Sequence, residues 1–453
     1  MKKIIVLILI AGLFFVFNVT SSSYATTPVY DETYNNNQGA FYANGIPIVI
    51  SESEGNTVVI WKDGNIVVPN SVSIFGGGVG ENYTSSQITM NGGIVQNITG
   101  GGIGYTADTS SEVTTTNIVI NNGTVTNSVV GGGYFYSKTI TSNVVLNGGT
   151  VLSLQGGALA TGKISGVKYS VGSKEDSINS PCRVDNANVA INGGTITSLL
   201  FAGGQGYSYT GIANLIINDG NMSNAYVTAA GSNGYTETGN VKIAGGTIGV
   251  YQSVNRGTVN SASVKQIGGN IDKFYVGGET EDSTVTGILE KVEVNLVGGN
   301  ITMLAPGTSN GNEISIDNET YKVAATEDVK VINDNIPSSK IKIKYDFDVS
   351  HDSLKLSKND TQKIDVIVKT NPTGYENVFE DTISFISKNP EIAVVSNDGT
   401  VTGIDKGSTN IEINVGEKLK TIDVTVEDSN LYIPVGIVIV VLILVLLLVL
   451  FLV

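Results

Sequence analysis

The sequence has very few of the side chains from which catalytic, metal and anion-binding sites are usually built. Its 453 residues include one histidine, one cysteine and two arginines. His351 stands outside the repeats described below, so neither a serine–histidine–aspartate triad nor a histidine metal site is expected. Arg183 and Arg256 are too few for a phosphate or polyuronate groove, because bidentate recognition of such groups usually relies on arginine. We therefore predict no catalytic residue, no metal site and no cofactor, and expect that the protein is not an enzyme.

The charge balance and the cysteine content restrict the partners further. Asp and Glu number 41 against 26 Lys and Arg, which gives a net charge of −15. Such a surface repels polyanions, so nucleic acid is not an expected partner. Cys182 is the only cysteine, which excludes an internal disulfide. We interpret it as a buried or inert thiol, the alternative being a bond to another chain.

Both ends of the sequence are apolar. Lys2 and Lys3 precede an apolar run that gives way to small and polar residues ending at Ala25, which predicts a signal peptide over residues 1–25. Residues 431–453 carry no charge and are rich in Val, Leu and Ile. As a helix they would extend roughly 34 Å, enough to cross a bilayer. The sequence thus predicts an exported protein, located at the cell surface and anchored in the membrane by its C-terminal segment.

The middle of the chain is repetitive. Its clearest copies are Asn143–Val151, Asn188–Ile196 and Asn240–Ile248, each with an Asn–Val start and a Gly–Gly turn. Turn glycines mark the repeats at 23- to 45-residue intervals: Gly64, Gly93, Gly123, Gly149, Gly194, Gly220, Gly246, Gly269 and Gly299. One such unit cannot bury its apolar face alone, whereas stacked units form a continuous core. We predict about nine coils of a β-solenoid over 55–307, with an N-terminal cap at 26–54 and a cap and linker at 308–351.

Two recurrent features are interpreted as structural. Glycine clusters at 76–78, 100–102 and 131–133 recur without a following helix signal, so we read them as corners and not as phosphate cradles. Asparagines recur at one turn position and are expected to bond amide to amide between coils: Asn91, Asn121, Asn147, Asn192 and Asn218.

The repeat architecture of residues 55–307 resembles right-handed parallel β-helix proteins of the pectate-lyase-like class, which include many surface adhesins. The resemblance implies a rigid rod with an adhesive or structural role. The alternative that it leaves open is a polysaccharide-degrading β-helix enzyme, a lyase or a hydrolase. Such enzymes need clustered carboxylates with Ca²⁺ or paired acids across a groove, and the repeats contain few acidic residues.

Residues 352–427 change character and read as a β-sandwich of short strands. The segments Ser353–Leu356, Ile386–Val394, Asn397–Gly403 and Lys406–Ile411 resemble a group 2 bacterial immunoglobulin-like domain. That resemblance implies a spacer or stalk. The complete prediction is an all-β chain: a right-handed parallel β-solenoid followed by an immunoglobulin-like β-sandwich and a single C-terminal transmembrane helix.

Tyrosines follow the glycine corners and are the candidate contact residues. They are Tyr83, Tyr105, Tyr134, Tyr136, Tyr207, Tyr209 and Tyr235. Stacked coils would align them into an edge that grips sugar rings or docks a protein, or into an aromatic ladder with a purely structural role. The expected function is that of a cell-surface structural or adhesive protein whose partner is an extracellular glycan or a surface protein.

Overall fold

The structure is a computed structural model of the chain. It describes residues 27–160, 178, 180–279, 287–309, 312–336, 338–428, 440, 442–445 and 447–448. The predicted signal peptide lies outside these residues. The described chain is all-β, apart from short helical segments.

The prediction of a transmembrane helix over 431–453 is wrong. The described residues of this segment, 440, 442–445 and 447–448, are helical. Within the part of the chain that the structure describes, however, no helix combines the length and the apolar character needed to cross a membrane.

The described chain is built almost entirely from short strands. The N-terminal elements are β1 (Val29–Asp31), α1 (Tyr34–Asn37), β2 (Ala40–Tyr42), β3 (Ile48–Ser53), β4 (Asn56–Trp61), β5 (Gly64–Val68) and β6 (Ser73–Phe75). The repeat elements are β7 (Asn82–Met90), β8 (Ile94–Thr99), β9 (Ile103–Gly104), β10 (Ser111–Ile120), β11 (Thr124–Val130), β12 (Tyr134–Phe135), β13 (Ser137–Leu146), β14 (Thr150–Gln155), β15 (Leu159–Ala160), β16 (Arg183–Ile191), β17 (Thr195–Phe201), β18 (Gln205–Gly206), β19 (Tyr209–Ile217), β20 (Asn221–Thr228), β21 (Tyr235–Ile243), β22 (Thr247–Gln252), β23 (Thr258–Gln266), β24 (Asn270–Tyr275), β25 (Ile288–Leu296) and β26 (Asn300–Ala305). The remaining strands are β27 (Thr308–Ser309), β28 (Asn312–Glu313), β29 (Tyr321–Thr326), β30 (Lys330–Asp334), β31 (Ile341–Val349), β32 (Ser353–Ser357), β33 (Thr361–Lys363), β34 (Val366–Asn371), β35 (Ser384–Ser387), β36 (Ala393–Val395), β37 (Thr400–Gly403), β38 (Gly407–Val415) and β39 (Lys418–Glu427), with a 3-10 helix at Glu376–Thr382.

The repeats form three sheets whose strands run parallel from coil to coil. Sheet A has twelve strands in the order β1-β2-β6-β8-β11-β14-β17-β20-β22-β24-β26-β30. Sheet B has fourteen in the order β5-β4-β3-β7-β10-β13-β16-β19-β21-β23-β25-β29-β31-β34, and the short sheet C is β9-β12-β15-β18. We call one sheet B strand and the sheet A strand that follows it a coil, and the chain passes through such coils from β7–β8 to β29–β30. The arrangement is consistent with a parallel β-helix.

Strand alternation places the core inside the coils. In β16, Val189 and Ile191 are buried, whereas Ala190 between them points outward, as the period of two requires. The same alternation repeats in the strands on either side, so that the buried rows join into one apolar core that runs along the inside of the coils. Cys182 is buried as well.

The turn between sheet B and sheet A requires glycine. The predicted marker glycines from Gly93 to Gly299 all have positive φ, between 78° and 114°, a region that residues with a Cβ rarely adopt. Gly64 is the exception, and its assignment to a coil was wrong. It follows the turn between the antiparallel strands β4 and β5, and the sequence did not separate the two cases because Asp–Gly also suits hairpins.

The predicted glycine corners are confirmed, and their reason is close approach. The cluster at 131–133 links β11 in sheet A to β12 in sheet C. A Cβ on Gly131 would lie 2.1 Å from Ser142 Oγ and 2.3 Å from the Gly156 carbonyl oxygen. Ser142 Oγ donates a hydrogen bond of 2.8 Å to that same carbonyl. The corner thus has room for a buried hydroxyl but not for a side chain on the glycine.

The asparagine ladder is also confirmed. From Asn121 to Asn218, each Nδ2 donates to the Oδ1 of the equivalent asparagine one coil earlier, at 2.8 to 2.9 Å. A second ladder, which was not predicted, runs within sheet B through Asn117, Asn143, Asn188, Asn214 and Asn240. Both ladders use the amide as donor and acceptor at once, which is the stacking that repeated asparagines favour.

The C-terminal module is joined to the coils by a shared sheet. It contains one sheet of β32-β39-β38-β35 and another of β33-β37-β36. Strand β31 pairs in parallel with β29 of the last coil and antiparallel with β34. Residues 308–351, predicted as a cap and linker, therefore contain both a further coil, β29–β30, and the strand that enters the module.

The module also packs against the side of the coils. The turn position occupied by asparagine up to Asn218 becomes Ala244, Ile267 and Val297 in later coils. Val297 is buried in the core of the module, and Ile267 packs against it. Asp381 beside them accepts ion pairs of 2.8 Å from Lys242 and from Lys265 on the outer face of sheet B. The ladder thus ends where the module covers the turn.

We predict that interior rungs of the exposed asparagine ladder stabilise the coils more than its last rung. Asn192→Ala removes two amide hydrogen bonds and Asn218→Ala removes one, so the first should lower the free energy of unfolding by about 1–2 kcal/mol and the second by about half as much. Urea unfolding of the full chain measures both. Equal losses would contradict a stabilising ladder.

We further predict that Asp381 holds the module against sheet B. In Asp381→Ala, backbone hydrogen exchange of Glu376–Thr382 should accelerate roughly five-fold, since partly exposed ion pairs contribute up to about 1 kcal/mol each. Asp405→Ala is the matched control, because Asp405 pairs with Lys358 inside the module at 3.2 Å. Unchanged exchange at the 3-10 helix would show that the shared sheet alone fixes the module.

Candidate functional site

The seven predicted tyrosines do not form one edge. Tyr209 and Tyr235 are in register on neighbouring strands of sheet B, whereas Tyr134 lies in sheet C and Tyr105 is connected to it in space through Phe135. Tyr83 lies in β7, where its hydroxyl donates to Glu81. The coils differ in the length of the segment after each corner, so equal distance along the chain does not give equal position.

Tyr105 and Tyr134 belong to an aromatic group near the N-terminal end. We name it the Phe75 cluster and define it as Tyr34, Tyr42, Phe75, Tyr105, Tyr134 and Phe135. Its centre is Phe75, the last residue of β6, which is fully buried. The ring of Phe75 stacks on Tyr42 with 5.2 Å between centroids and meets Tyr34 and Tyr134 edge to face at 5.9 and 5.6 Å. These are favourable aromatic geometries.

Phe135 extends the cluster toward solvent. Its centroid lies 6.2 Å from that of Tyr134 and 6.5 Å from that of Tyr105. Tyr105 is 52% exposed, so its ring contacts Phe135 on one side and solvent on the other. An exposed aromatic face on a buried aromatic base can stack against an apolar ring face of a ligand.

Three phenol hydroxyls of the cluster lack a protein partner within the described ranges. Tyr34, Tyr42 and Tyr105 make ring contacts, but their hydroxyls have no hydrogen-bond partner among the described residues. The Tyr42 side chain is only 7% exposed, but its hydroxyl is not one of the fully buried side-chain oxygens that lack a partner. The cluster therefore offers three hydroxyl groups that can form hydrogen bonds to a ligand.

The electrostatics show that these hydroxyls are neighbours. Burial raises the pKa of Tyr34 from 10.0 to about 12, with further contributions from the Tyr105 and Tyr134 phenols. Burial also raises the pKa of Tyr42, helped by Tyr105, Tyr34 and the Asp31 carboxylate. Burial and Asp31 raise the pKa of Tyr105 in the same direction. All three phenols are thus neutral donors at physiological pH, next to one carboxylate.

Tyr209 and Tyr235 form a separate group whose contacts are satisfied internally. Their rings stack at 5.9 Å with an interplanar angle of 17°. The Arg183 guanidinium covers Tyr209 at 4.5 Å and donates to Asp185 at 2.7 and 3.0 Å. The Tyr235 hydroxyl donates to Glu237 at 2.7 Å. This group fits the structural alternative, an aromatic ladder that covers the coils.

The two remaining tyrosines lie around Cys182. Tyr136 is buried with Cys182 in a small apolar group, and Tyr207 packs against that group. Burial raises the pKa of the Cys182 thiol, which keeps it protonated and unreactive.

Four of the six residues of the Phe75 cluster were not identified from sequence: Tyr34, Tyr42, Phe75 and Phe135. Tyr34 and Tyr42 lie in the segment predicted as an N-terminal cap, and Phe75 precedes a corner that was read only for its glycines. Their aromatic character was visible, but their convergence depends on β2 and β6 pairing in sheet A next to sheet C.

No cluster of metal-ligating side chains accompanies these groups in the described ranges. Within them, no three His, Cys, Asp or Glu residues stand close enough to hold a metal ion. His351 lies 2.7 Å from Ser350 Oγ through Nδ1 and 2.8 Å from Gln362 through Nε2, in the C-terminal part of the chain.

We predict that the Phe75 cluster makes the protein sensitive to alkaline pH. The folded chain retains the Tyr34 proton that the unfolded chain releases above pH 10, so this contribution to stability is complete below about pH 10 and is lost as the pH rises through about 12. Tyr34→Phe should therefore show a smaller fall in unfolding free energy between about pH 9 and about pH 11.5 than the unchanged protein. Equal pH dependence of the variant and the unchanged protein would contradict the prediction.

Comparison with known proteins identifies part of the C-terminal module. Residues 381–428 match the family described as Big-like, a bacterial Ig-like domain. The matched segment begins at Asp381, which contacts sheet B, and includes β35 to β39. No curated protein matches the chain. The match supports the predicted immunoglobulin-like module, and together with the parallel sheets it fits a cell-surface protein.

Proposed function

We propose that this protein is a cell-surface structural and adhesive protein that binds a neutral extracellular glycan at the Phe75 cluster. The observation that carries the proposal is the set of three phenol hydroxyls without a partner among the described residues, those of Tyr34, Tyr42 and Tyr105, on one buried aromatic base. Sugar rings present apolar faces and many hydroxyl groups, and tyrosine offers both an apolar body and a polar tip.

The strands that carry the Phe75 cluster hold its rings in place, which favours specific binding over a mobile, non-specific contact. Tyr42 and Phe75 lie on neighbouring strands of sheet A, and Tyr134 lies in sheet C. Rings held by regular strands lose little conformational freedom when a ligand binds, which is the advantage of a preorganised site.

Charge favours a neutral glycan over an acidic one. The Asp31 carboxylate is near enough to raise the pKa of Tyr105 and of Tyr42, after burial, and the chain carries a net charge of −15. An acidic sugar would meet repulsion of the same sign at the cluster.

The proposal includes the architecture that would present the site. A right-handed parallel β-helix carries the cluster near its N-terminal end, and a group 2 bacterial immunoglobulin-like domain is packed at the other end of the coils. The shared sheet and the Asp381 contacts support a fixed arrangement of the two, in place of a flexible stalk.

A glycan array with the full chain, repeated with Tyr105→Ala, tests the proposal. Tyr105→Ala should weaken binding to the selected neutral glycan roughly ten-fold, the loss of about 1.4 kcal/mol that truncation of a contact aromatic commonly causes. Tyr226→Ala is the matched control, because Tyr226 is also exposed, at 36%, but lies on sheet A outside the cluster.

Two outcomes would contradict the proposal. Binding that survives Tyr105→Ala but is lost in Tyr226→Ala would move the site to sheet A. Release of reducing sugar from the bound polysaccharide would identify an enzyme instead of an adhesive protein.

A further inference from the structure

The C-terminal edge of sheet A has no strand beside it in the described chain. Strand β30 pairs with β26 on one side, and no described residue pairs with its other side. Ile332 in its centre is 76% exposed, while Val331 beside it packs against the apolar core. A strand with one unpaired edge and an exposed apolar side chain is a template for pairing with another strand.

The opposite edge of sheet A is similarly open. Strand β1 pairs with β2 in antiparallel orientation, and on its outer side it has no partner within the described part of the chain. Val29 is 49% exposed, and Tyr30 packs against the apolar core.

The two edges are complementary when they are set antiparallel. Placing Asp31 of one copy opposite Lys330 of another puts Tyr30 opposite Val331 and Val29 opposite Ile332. Tyr30 and Val331 both face the core, so the other two pairs face outward together, as the pleat requires. The outward pairs are one acid with one base and two exposed apolar side chains. Each such cross-strand pair is favourable.

Of the two large sheets, sheet A is the one whose edge strands are available for this pairing. Sheet B is continued at one end by the antiparallel strands β4 and β5 and at the other by β34 of the module. A junction between copies would therefore be made through one wall, by extending sheet A from β30 of one copy into β1 of the next.

We propose that this chain assembles head to tail with further copies of itself, by antiparallel pairing of β30 with β1. Because the two surfaces differ, the contact is heterologous and each added copy presents a new free edge. The product is an open filament, in which the Phe75 cluster next to β1 would recur once per copy.

Cysteine crosslinking between separately made variants tests the register. Directly opposed residues of antiparallel strands have Cα atoms about 4.5 or 5.5 Å apart, within the range that a disulfide spans. Val29→Cys and Ile332→Cys should form a disulfide dimer under mild oxidation when mixed, whereas neither variant should do so alone. Cys182 is buried and should not interfere.

A control variant and two further measurements distinguish the proposed pairing from other contacts. Ile212→Cys is the control, because Ile212 is exposed to a similar degree, at 42%, but lies in β19 in the middle of sheet B. It should not crosslink to Ile332→Cys. Dimers of Ile332→Cys alone would indicate symmetric pairing of β30 with itself and would overturn the proposal. So would failure of the mixture to crosslink, or a wild-type chain that sediments as a monomer at every accessible concentration.

Charge reversal provides a second, independent readout. Lys330→Asp should weaken self-association roughly five-fold, because like charges directly opposite each other are unfavourable. Mixing Lys330→Asp with Asp31→Lys should restore association at that junction. If both variants associate as the wild type does, Asp31 and Lys330 are not opposed and the proposed register is wrong.

Discussion

Pairing between successive coils is the constraint from which the rest of this structure follows. Between β7–β8 and β29–β30, each strand of sheet A or sheet B finds its main-chain partners in neighbouring coils and not within its own coil. The turn obeys the same rule: the Thr150 amide donates to the Gly123 carbonyl, and the Thr195 amide to that of Gly149. A coil is therefore stable only in a stack, and each position must suit the equivalent positions of its neighbours.

That requirement accounts for the unusual composition. Neighbouring coils approach so closely at the corners that a Cβ on Gly131 would strike the next coil. Polar residues are accepted where their side chains bond to the equivalent residue of the next coil, as the two asparagine ladders do. Coils can differ in length and still pair in register: 45 residues separate Leu146 from Ile191, and the two are directly paired.

Coil pairing also determines how the C-terminal module is attached. The last coil offers the outer edge of β29, and β31 pairs with that edge before the chain enters the immunoglobulin-like module. Where the module covers the coils, the turn residue changes from asparagine to Ile267 and Val297, which pack against and in the core of the module. Next to this contact, Lys242 and Lys265 of sheet B form ion pairs with Asp381. The module is thus integrated into the coils through sheet B, and sheet A keeps an open edge at each end of the described chain.

The amino-acid sequence by itself determined the features that repeat. The Asn–Gly–Gly turns, the glycine corners, the exposed asparagine ladder and the β-rich C-terminal module follow from local preferences that every coil shares, so one sequence suffices to read them. It misassigned Gly64, because a hairpin and a coil turn use the same residues. It also predicted a membrane helix over 431–453, whereas no helix in the described part of the chain is long and apolar enough to cross a membrane.

The tertiary structure alone decided the features that depend on which segments meet. The predicted tyrosine edge is divided, because return segments of different length place Tyr83, Tyr209 and Tyr105 at different positions around the coils. Phe75 gathers residues from α1, β2 and β12 into one cluster only because sheets A and C adjoin there. The pairing of β31 with β29 and the exposed edges at β1 and β30 are long-range outcomes of strand order, which no local pattern of residues encodes.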